Sequence, residues 1–258
     1  MVWSYSRLTA FAQCKYQFYL KYIVADDDQY LPEGNYYAEV GSFVHSILEM
    51  VFKNQLSVDD ACQYFAEHFD ENVFYKTRKN LMDKRYEACA NYFAELDLGW
   101  IKDCEILGVE KQIDVFVGDY EFTGFIDLLV RDKITGNIIL IDHKSARVPI
   151  SKTGKLLKAS EASFNSYKHQ MYLYALYVKQ EYGEYPAYVA WNHFADGGEI
   201  VSMPFSEKEL SDAKEWFLST IRDIEKEETF EETQDFFYCH NLCDFRNSCE
   251  YNKADSGG

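Results

Sequence analysis

The chain has 258 residues, 47% hydrophobic and 17% aromatic, which is enough apolar material for one sizeable core with terminal additions. No stretch reaches the roughly eighteen consecutive apolar residues of a membrane span, so no membrane partner is expected. A net charge of −17 excludes adhesion to nucleic acid over the whole surface, and any such contact has to be a local basic patch.

The N-terminus MVWSYSRLTAFAQC lacks the basic flank, apolar stretch and cleavage site of a secretory leader, so a cytoplasmic location is expected. SYSRLTAFAQCKYQFYLKYI then predicts one helix reaching residue 23, capped by Ser4 or Ser6, with Phe11, Cys14 and Phe18 on one stripe. DDDQYLPEGN reads as a loop. From Ala38 to Asn54 the apolar residues Val40, Phe43, Val44, Ile47, Leu48, Val51 and Phe52 follow a helical period and predict one broad buried face. Residues 57–98 read as a helical insertion of two helices, with Ser57 and Asp60 as a start signal and Gly99-Trp100 as a stop. No chemistry is legible in them.

Between Ile106 and Ser145 the period becomes two, and turns at Gly118-Asp119 and Thr135-Gly136-Asn137 predict three antiparallel strands. A helix from Lys168 to Gln180 follows, then a strand pair, Ala187–Phe194 and Glu199–Phe205, around Asp196-Gly197-Gly198. Ser206 with Glu209 forms a capping box that opens the last long helix. The acidic run EKEETFEETQD links that helix to the cysteine-rich segment YCHNLCDFRNSCEY.

The strands carry the chemistry. FTGFIDLLVRDKITGNIILIDHKSA, residues 122–146, sets Asp127, Asp142 and Lys144 in a run of branched apolar residues. If Lys133 to Gly136 form the turn and Asp132 pairs with Asn137, Asp127 lies opposite Asp142 with Cβ atoms roughly 4.5–5.5 Å apart. Lys144 points to the same face as Asp142, since side chains alternate along a strand. The third strand is apolar on both faces up to Asp142, as a buried central strand requires. Two facing carboxylates there repel each other and lose hydration, so keeping both ionised calls for a cation. Oxygen ligands suit Mg²⁺ or Mn²⁺, and a lysine beside them suits phosphodiester hydrolysis. A solvated Asp142–Lys144 ion pair at a strand end is the simpler alternative for the D-x-K triplet alone.

In G-F-I-D at 124–127 and I-I-L-I-D-H-K at 138–144 the chain resembles the PD-(D/E)XK nucleases. Further elements spread over nearly the whole chain resemble the RecB-like branch: S-Y-S-R-L-T-A-F-A-Q-C at 4–14, G-S-F-V-H at 41–45, V-E at 109–110, Q-M-Y-L-Y at 170–174 and the terminal cysteines. The resemblance implies a single α/β domain with a restriction-endonuclease-like core, in which a central mixed β-sheet is flanked by helices. Its parts would be an N-terminal helix (1–23) with Cys14, the insertion (57–98), a catalytic core (104–205) and a cysteine segment (236–251). It also implies that His45, Asp127, Asp142 and the carbonyl of His143 are metal ligands and that Lys144 is the catalytic lysine. Gln170 and Tyr174 would orient DNA and that lysine, and Glu110 fills an acidic position of less certain role. The expected function is a Mg²⁺- or Mn²⁺-dependent deoxyribonuclease, an exonuclease preferring single-stranded ends, in recombination, repair, phage DNA processing or CRISPR spacer acquisition. A helicase or integrase is an expected companion, and a noncatalytic DNA-end-binding module is the alternative.

Seven cysteines is an odd number for a disulfide framework, and Cys239, Cys243 and Cys249 crowd together, which favours metal ligation. With Cys14 they resemble the iron–sulfur subgroup of RecB-like nucleases, where four thiolates hold a [4Fe–4S] cluster joining the chain's ends. The spacing also suits zinc, with His240 as a spare ligand. Cys62, Cys89 and Cys104 read as small buried hydrophobes. From His143 to His169, six basic side chains (Lys144, Arg147, Lys152, Lys155, Lys158 and Lys168) face one acidic residue, Glu161, so this segment is the expected DNA path, on a mobile loop.

Overall fold

The computed structural model describes residues 2–24, 30, 32–150 and 156–254. Its centre is a six-stranded mixed sheet: β1 (Trp3–Ser4), β2 (Cys104–Val117), β3 (Tyr120–Asp132), β4 (Ile138–Lys144), β5 (Tyr188–His193) and β6 (Glu199–Pro204). The predicted meander is present: β2 pairs antiparallel with β3 and β3 with β4, while β4 and β5 run parallel. Phe122 pairs with Val115 of β2 on one side and Trp3 of β1 on the other, and Leu128 pairs with Val109 and Ile141. β1 and β4 therefore lie end to end along one edge of β3.

Helices cover both faces, as a parallel pair of strands in mid-sheet requires. On one face α6 (Glu161–Tyr182) and α7 (Glu207–Lys226) bury Met171, Leu173, Val178, Phe217 and Ile221 against Ile113, Phe122, Leu140 and Trp191. On the other, α3 (Tyr36–Phe52), α4 (Val58–Asn72) and α5 (Lys79–Ala94) pack on Leu128, Val130, Ile141 and Ala190. All seven apolar residues predicted for the α3 face are buried, each contributing roughly 1.5–3 kcal/mol. Asn35 and Ser57 cap α3 and α4 through their side chains, and Gly183 ends α6 at a φ of 77°, which suits glycine.

Two expectations need correction. The single helix to residue 23 is instead β1, α1 (Tyr5–Gln13) and α2 (Lys15–Tyr22). Cys14 breaks it: its backbone is extended, and its Sγ caps α2 by accepting from the Gln17 N–H at 3.4 Å. Phe11 and Phe18 still meet edge to face, so the stripe survives the break. The capping box at Ser206 is only half formed. Ser206 accepts from the Glu209 N–H, but the Tyr172 hydroxyl takes the Ser206 N–H, while Glu209 pairs with Lys168. The segment expected to be a mobile loop is anchored at its described ends by an Ile150–Leu156 bridge and by the Val148 N–H donating to Asp196; Lys152 and Lys155 lie outside the described residues.

Candidate active site

The β3–β4 hairpin has the register read from the sequence. Asp132 and Asn137 close the turn, and the ladder runs to Leu128–Ile141, so the next position places Asp127 across from Asp142. Both aspartates are buried. One Asp127 oxygen accepts the His143 N–H at 2.7 Å, tying the two strands at that point. Asp142 holds the Lys144 ammonium at 2.8 Å, and Lys144 also donates to Gln170 Oε1 at 2.8 Å. Gln170 in turn donates to the Tyr174 hydroxyl at 3.2 Å, so two residues one turn apart on α6 fix the lysine from the far side. The Tyr167 ring lies 4.8 Å from the same ammonium.

α3 brings His45 to the other end of the group. Its Nε2 meets the His143 carbonyl at 3.1 Å, and its Nδ1 lies 3.3 Å from Glu110 and 3.7 Å from Asp127. Among the described residues, His45, Glu110 and Asp127 are the one set of three or more candidate ligands whose donor atoms all lie within 4.8 Å of one another. Asp142 is outside that set because its carboxylate is turned to Lys144. Glu110 thus has a larger place in the site than its sequence position suggested. Its backbone is left-handed, with φ of 46°, in a stretch of β2 already irregular from a register shift between Ile106 and Gly108. For a residue with a side chain such a conformation costs about 1–2 kcal/mol, and strain of this kind clusters at functional sites. No signal in the sequence foretold it.

Charge explains what the group lacks. Burial and the neighbouring Asp142 push the Asp127 carboxyl up to about 7. Burial opposes the His45 charge, but Glu110, Asp127 and Asp142 outweigh it and lift the imidazole to about 9. Burial also works against the Lys144 charge, and Asp142 more than offsets this, so the ammonium holds its proton more tightly than usual. His143 sits well below the ordinary histidine range through burial, then the His45 and Lys144 charges. Its ring faces away from the carboxylates, stacked on Phe52 and bonded to Asn192, which also donates to Tyr92 of α5. A set of carboxylates short of positive charge, with one imidazole, is a donor set that Mg²⁺ or Mn²⁺ fits.

Two expected results arise here. In metal-free protein the folded Asp127 keeps its proton to about 7, whereas the unfolded carboxyl loses it near 3.8, so stability falls as pH rises between those values. The His45 contribution is whole below 6.5 and is lost as pH climbs through about 9. A divalent cation replaces both protons, so Mn²⁺ should raise the melting temperature by several degrees at about pH 8 and little at about pH 5. A gain independent of pH contradicts this. The second concerns Gly124, where a Cβ would lie 2.6 Å from the Tyr174 ring and 2.9 Å from its hydroxyl. Gly124→Ala should cost about 1–3 kcal/mol in denaturant melts and, by displacing the Tyr174–Gln170–Lys144 relay, roughly 10- to 100-fold in turnover.

Of the expected DNA-path cations, Arg147 and Lys158 are exposed, whereas Lys168 is half-buried and held by Glu209 at 2.9 Å. The four clasp cysteines do converge: Cys14, Cys239, Cys243 and Cys249 all line one cavity of about 740 Å³ between α2 and the C-terminal segment. Burial pushes the Cys243 thiol up to about 12, and the Phe245 N–H donates to its sulfur at 3.4 Å. The ends are also joined by Lys21–Asp244 at 2.9 Å and by Tyr16 donating to Glu250 at 2.8 Å. A tetrahedral zinc site, with Zn–S of about 2.3 Å, needs sulfurs roughly 3.8 Å apart. Among the described residues no three of these sulfurs lie within 4.8 Å of one another. Among the described residues the four thiols thus share one cavity without a preformed tetrahedral geometry. Cys89 is buried in the core, and Cys62 and Cys104 pack against it.

Fold and site together define a class: a mixed sheet between helical layers, with an acidic pair, a lysine and a histidine gathered at the end of its central hairpin. The sequence profile of the PD-(D/E)XK nuclease superfamily matches residues 2–250, and the chain belongs to that superfamily. In structure it is similar to a protein from Eubacterium rectale provisionally assigned as an exonuclease, with a TM-score of 0.53 and 16% identity, covering 98% of this chain and 87% of that one. At that identity the likeness concerns the fold, which it matches end to end. No curated protein matches the sequence significantly. No helix among the described residues is long and apolar enough to cross a membrane.

Proposed function

We propose that the chain is a Mg²⁺- or Mn²⁺-dependent deoxyribonuclease, an exonuclease that prefers single-stranded ends. The observation that carries this reading is the facing Asp127–Asp142 pair with Lys144 bonded to one member and His45 and Glu110 gathered at the other. His45, Glu110, Asp127, Asp142 and the His143 carbonyl would hold the ion, which when bound supplies charge neutralisation at the phosphate and a more acidic water. Lys144, held at 2.8 Å by both Asp142 and Gln170, is proposed to position or deprotonate the attacking water and to place its charge near the scissile phosphate. Gln170 and Tyr174 fix its ammonium, and the exposed Arg147 and Lys158 are proposed to grip the strand. A noncatalytic binding module would have no use for so costly a buried charge group.

The four cysteines are proposed to hold a [4Fe–4S] cluster, supported by their shared cavity and by N–H donors to Cys14 and Cys243. A cytoplasmic setting, a helicase or integrase companion, and a role in recombination, repair, phage DNA processing or CRISPR adaptation belong to the same reading. The test is a time course on end-labelled single- and double-stranded DNA with Mn²⁺ or a chelator. Chelator-sensitive shortening from a single-stranded end is expected. Binding without cleavage would replace the nuclease by the end-binding module.

A further inference from the structure

The helical insertion carries a second basic run that the site above leaves unused. KTRKNLMDKR, residues 76–85, holds five basic side chains and one acidic one in a chain of net charge −17. Lys79 and Asp83 neutralise each other across one turn of α5 at 2.8 Å. Lys84 and Arg85 instead line a hollow of about 260 Å³ at the C-terminal end of β4, with Tyr37, Ser145, Ala146 and Arg147. Among the described residues, no carboxylate lines it. Arg85 donates to the Ser145 carbonyl at 2.6 Å and lies 5.4 Å from the Tyr37 ring, so α5 is fastened to the residue that follows Lys144. Lys84 and Arg147 are exposed and, among the described residues, have no ion-pair partner. Fastening the insertion explains Arg85 alone. It leaves two further cations converging on the same hollow, where like charges repel unless an anion joins them.

We propose that this hollow is a phosphate subsite, in which Lys84, Arg85 and Arg147 grip a backbone phosphate of the nucleic-acid strand beside the one at the metal site. The insertion is then a substrate guide as well as a scaffold. Backbone recognition through cations alone carries no base preference, so the grip is sequence-neutral. This inference rests on the nuclease reading for the identity of the strand, and its test separates the two.

Binding of a fluorescein-labelled single strand of about 20 nucleotides is followed by anisotropy in chelator across a salt series, for oligo-dT and a mixed sequence. Each lost phosphate contact lowers the slope of log affinity against log salt by about 0.7 for single strands. Lys84→Ala is expected to lower the slope by about that amount and weaken both oligonucleotides several-fold alike, and Lys84→Ala with Arg147→Ala by about twice as much. Lys79→Ala, whose charge is already paired, serves as the control and is expected to leave the slope unchanged. Lys84 is exposed, so thermal melts of Lys84→Ala should match the parent. A parent that cleaves DNA, with slope and affinity unmoved in the double variant, would overturn the subsite and leave the nuclease standing. A Lys84-dependent slope in a parent that never cleaves would keep the subsite and remove the nuclease. A parent that does not bind the strand overturns the subsite.

Discussion

Lys144→Ala is expected to lower cleavage of single-stranded DNA by about 10³-fold, the scale seen when one buried charge-stabilising donor is removed from a transition state. The ammonium is within 2.8 Å of both Asp142 and Gln170. Removing it leaves Asp142 buried without its partner, a loss on the order of 3 kcal/mol that a divalent ion would partly offset. The variant should therefore melt several degrees lower and still be folded at assay temperature, which circular dichroism would establish. Asp127→Ala should be as inactive for a different reason, having lost a ligand while removing a repulsive charge. Its metal-free form should be at least as stable as the parent near neutral pH, because burial and Asp142 already hold that carboxyl up to about 7. Full activity in both variants would refute the assignment of the site.

The second large effect is expected at the clasp. If the clasp holds the proposed cluster, Cys243→Ser should abolish iron binding, seen as loss of brown colour and of metal by elemental analysis, and should expose residues 236–251 to limited proteolysis. Structural metal sites supply on the order of 10 kcal/mol or more to small domains. Here the sheet has its own two-sided core, so the damage should be confined to the joined ends. It would still reach the chemistry. β1 precedes α1 and lies along β3 at Phe122 and Thr123, within one strand turn of Gly124 and four residues from Asp127. Loosening the N-terminal helices should therefore lower activity, by roughly tenfold, through misplacement of β3. Colourless protein with stoichiometric zinc in the parent would transfer the same argument to zinc.

Much of this was legible in the sequence, because local rules decide it. The hairpin register followed from one turn and the period of two, and it matches the ladder as far as Leu128–Ile141, one position short of Asp127 and Asp142. The face of α3 followed from spacing, and the Gln170–Tyr174 pair from one helical turn. What stayed hidden depends on contacts between distant segments. Cys14 interrupts a helix whose apolar stripe runs on past it, since its sulfur and extended backbone answer to the C-terminal segment and not to local propensity. Glu110 owes its place to a left-handed backbone beside a bulge, which no alternation predicts. Lys168 reads as a free cation until Glu209 of α7 is folded against it. Lys84 and Arg85 are unremarkable on a helix wheel, and only the packing of α5 against the end of β4 brings them to Arg147.

The proposed nuclease requires that the carboxylates gathered at the β3–β4 hairpin bind a divalent ion. A crystal grown with Mn²⁺ and measured at its absorption edge tests this most directly. An anomalous peak is expected about 2.1 Å from oxygens of Asp127 and Asp142, with His45 or Glu110 completing the shell. A peak at other residues, or none at saturating Mn²⁺, would contradict it.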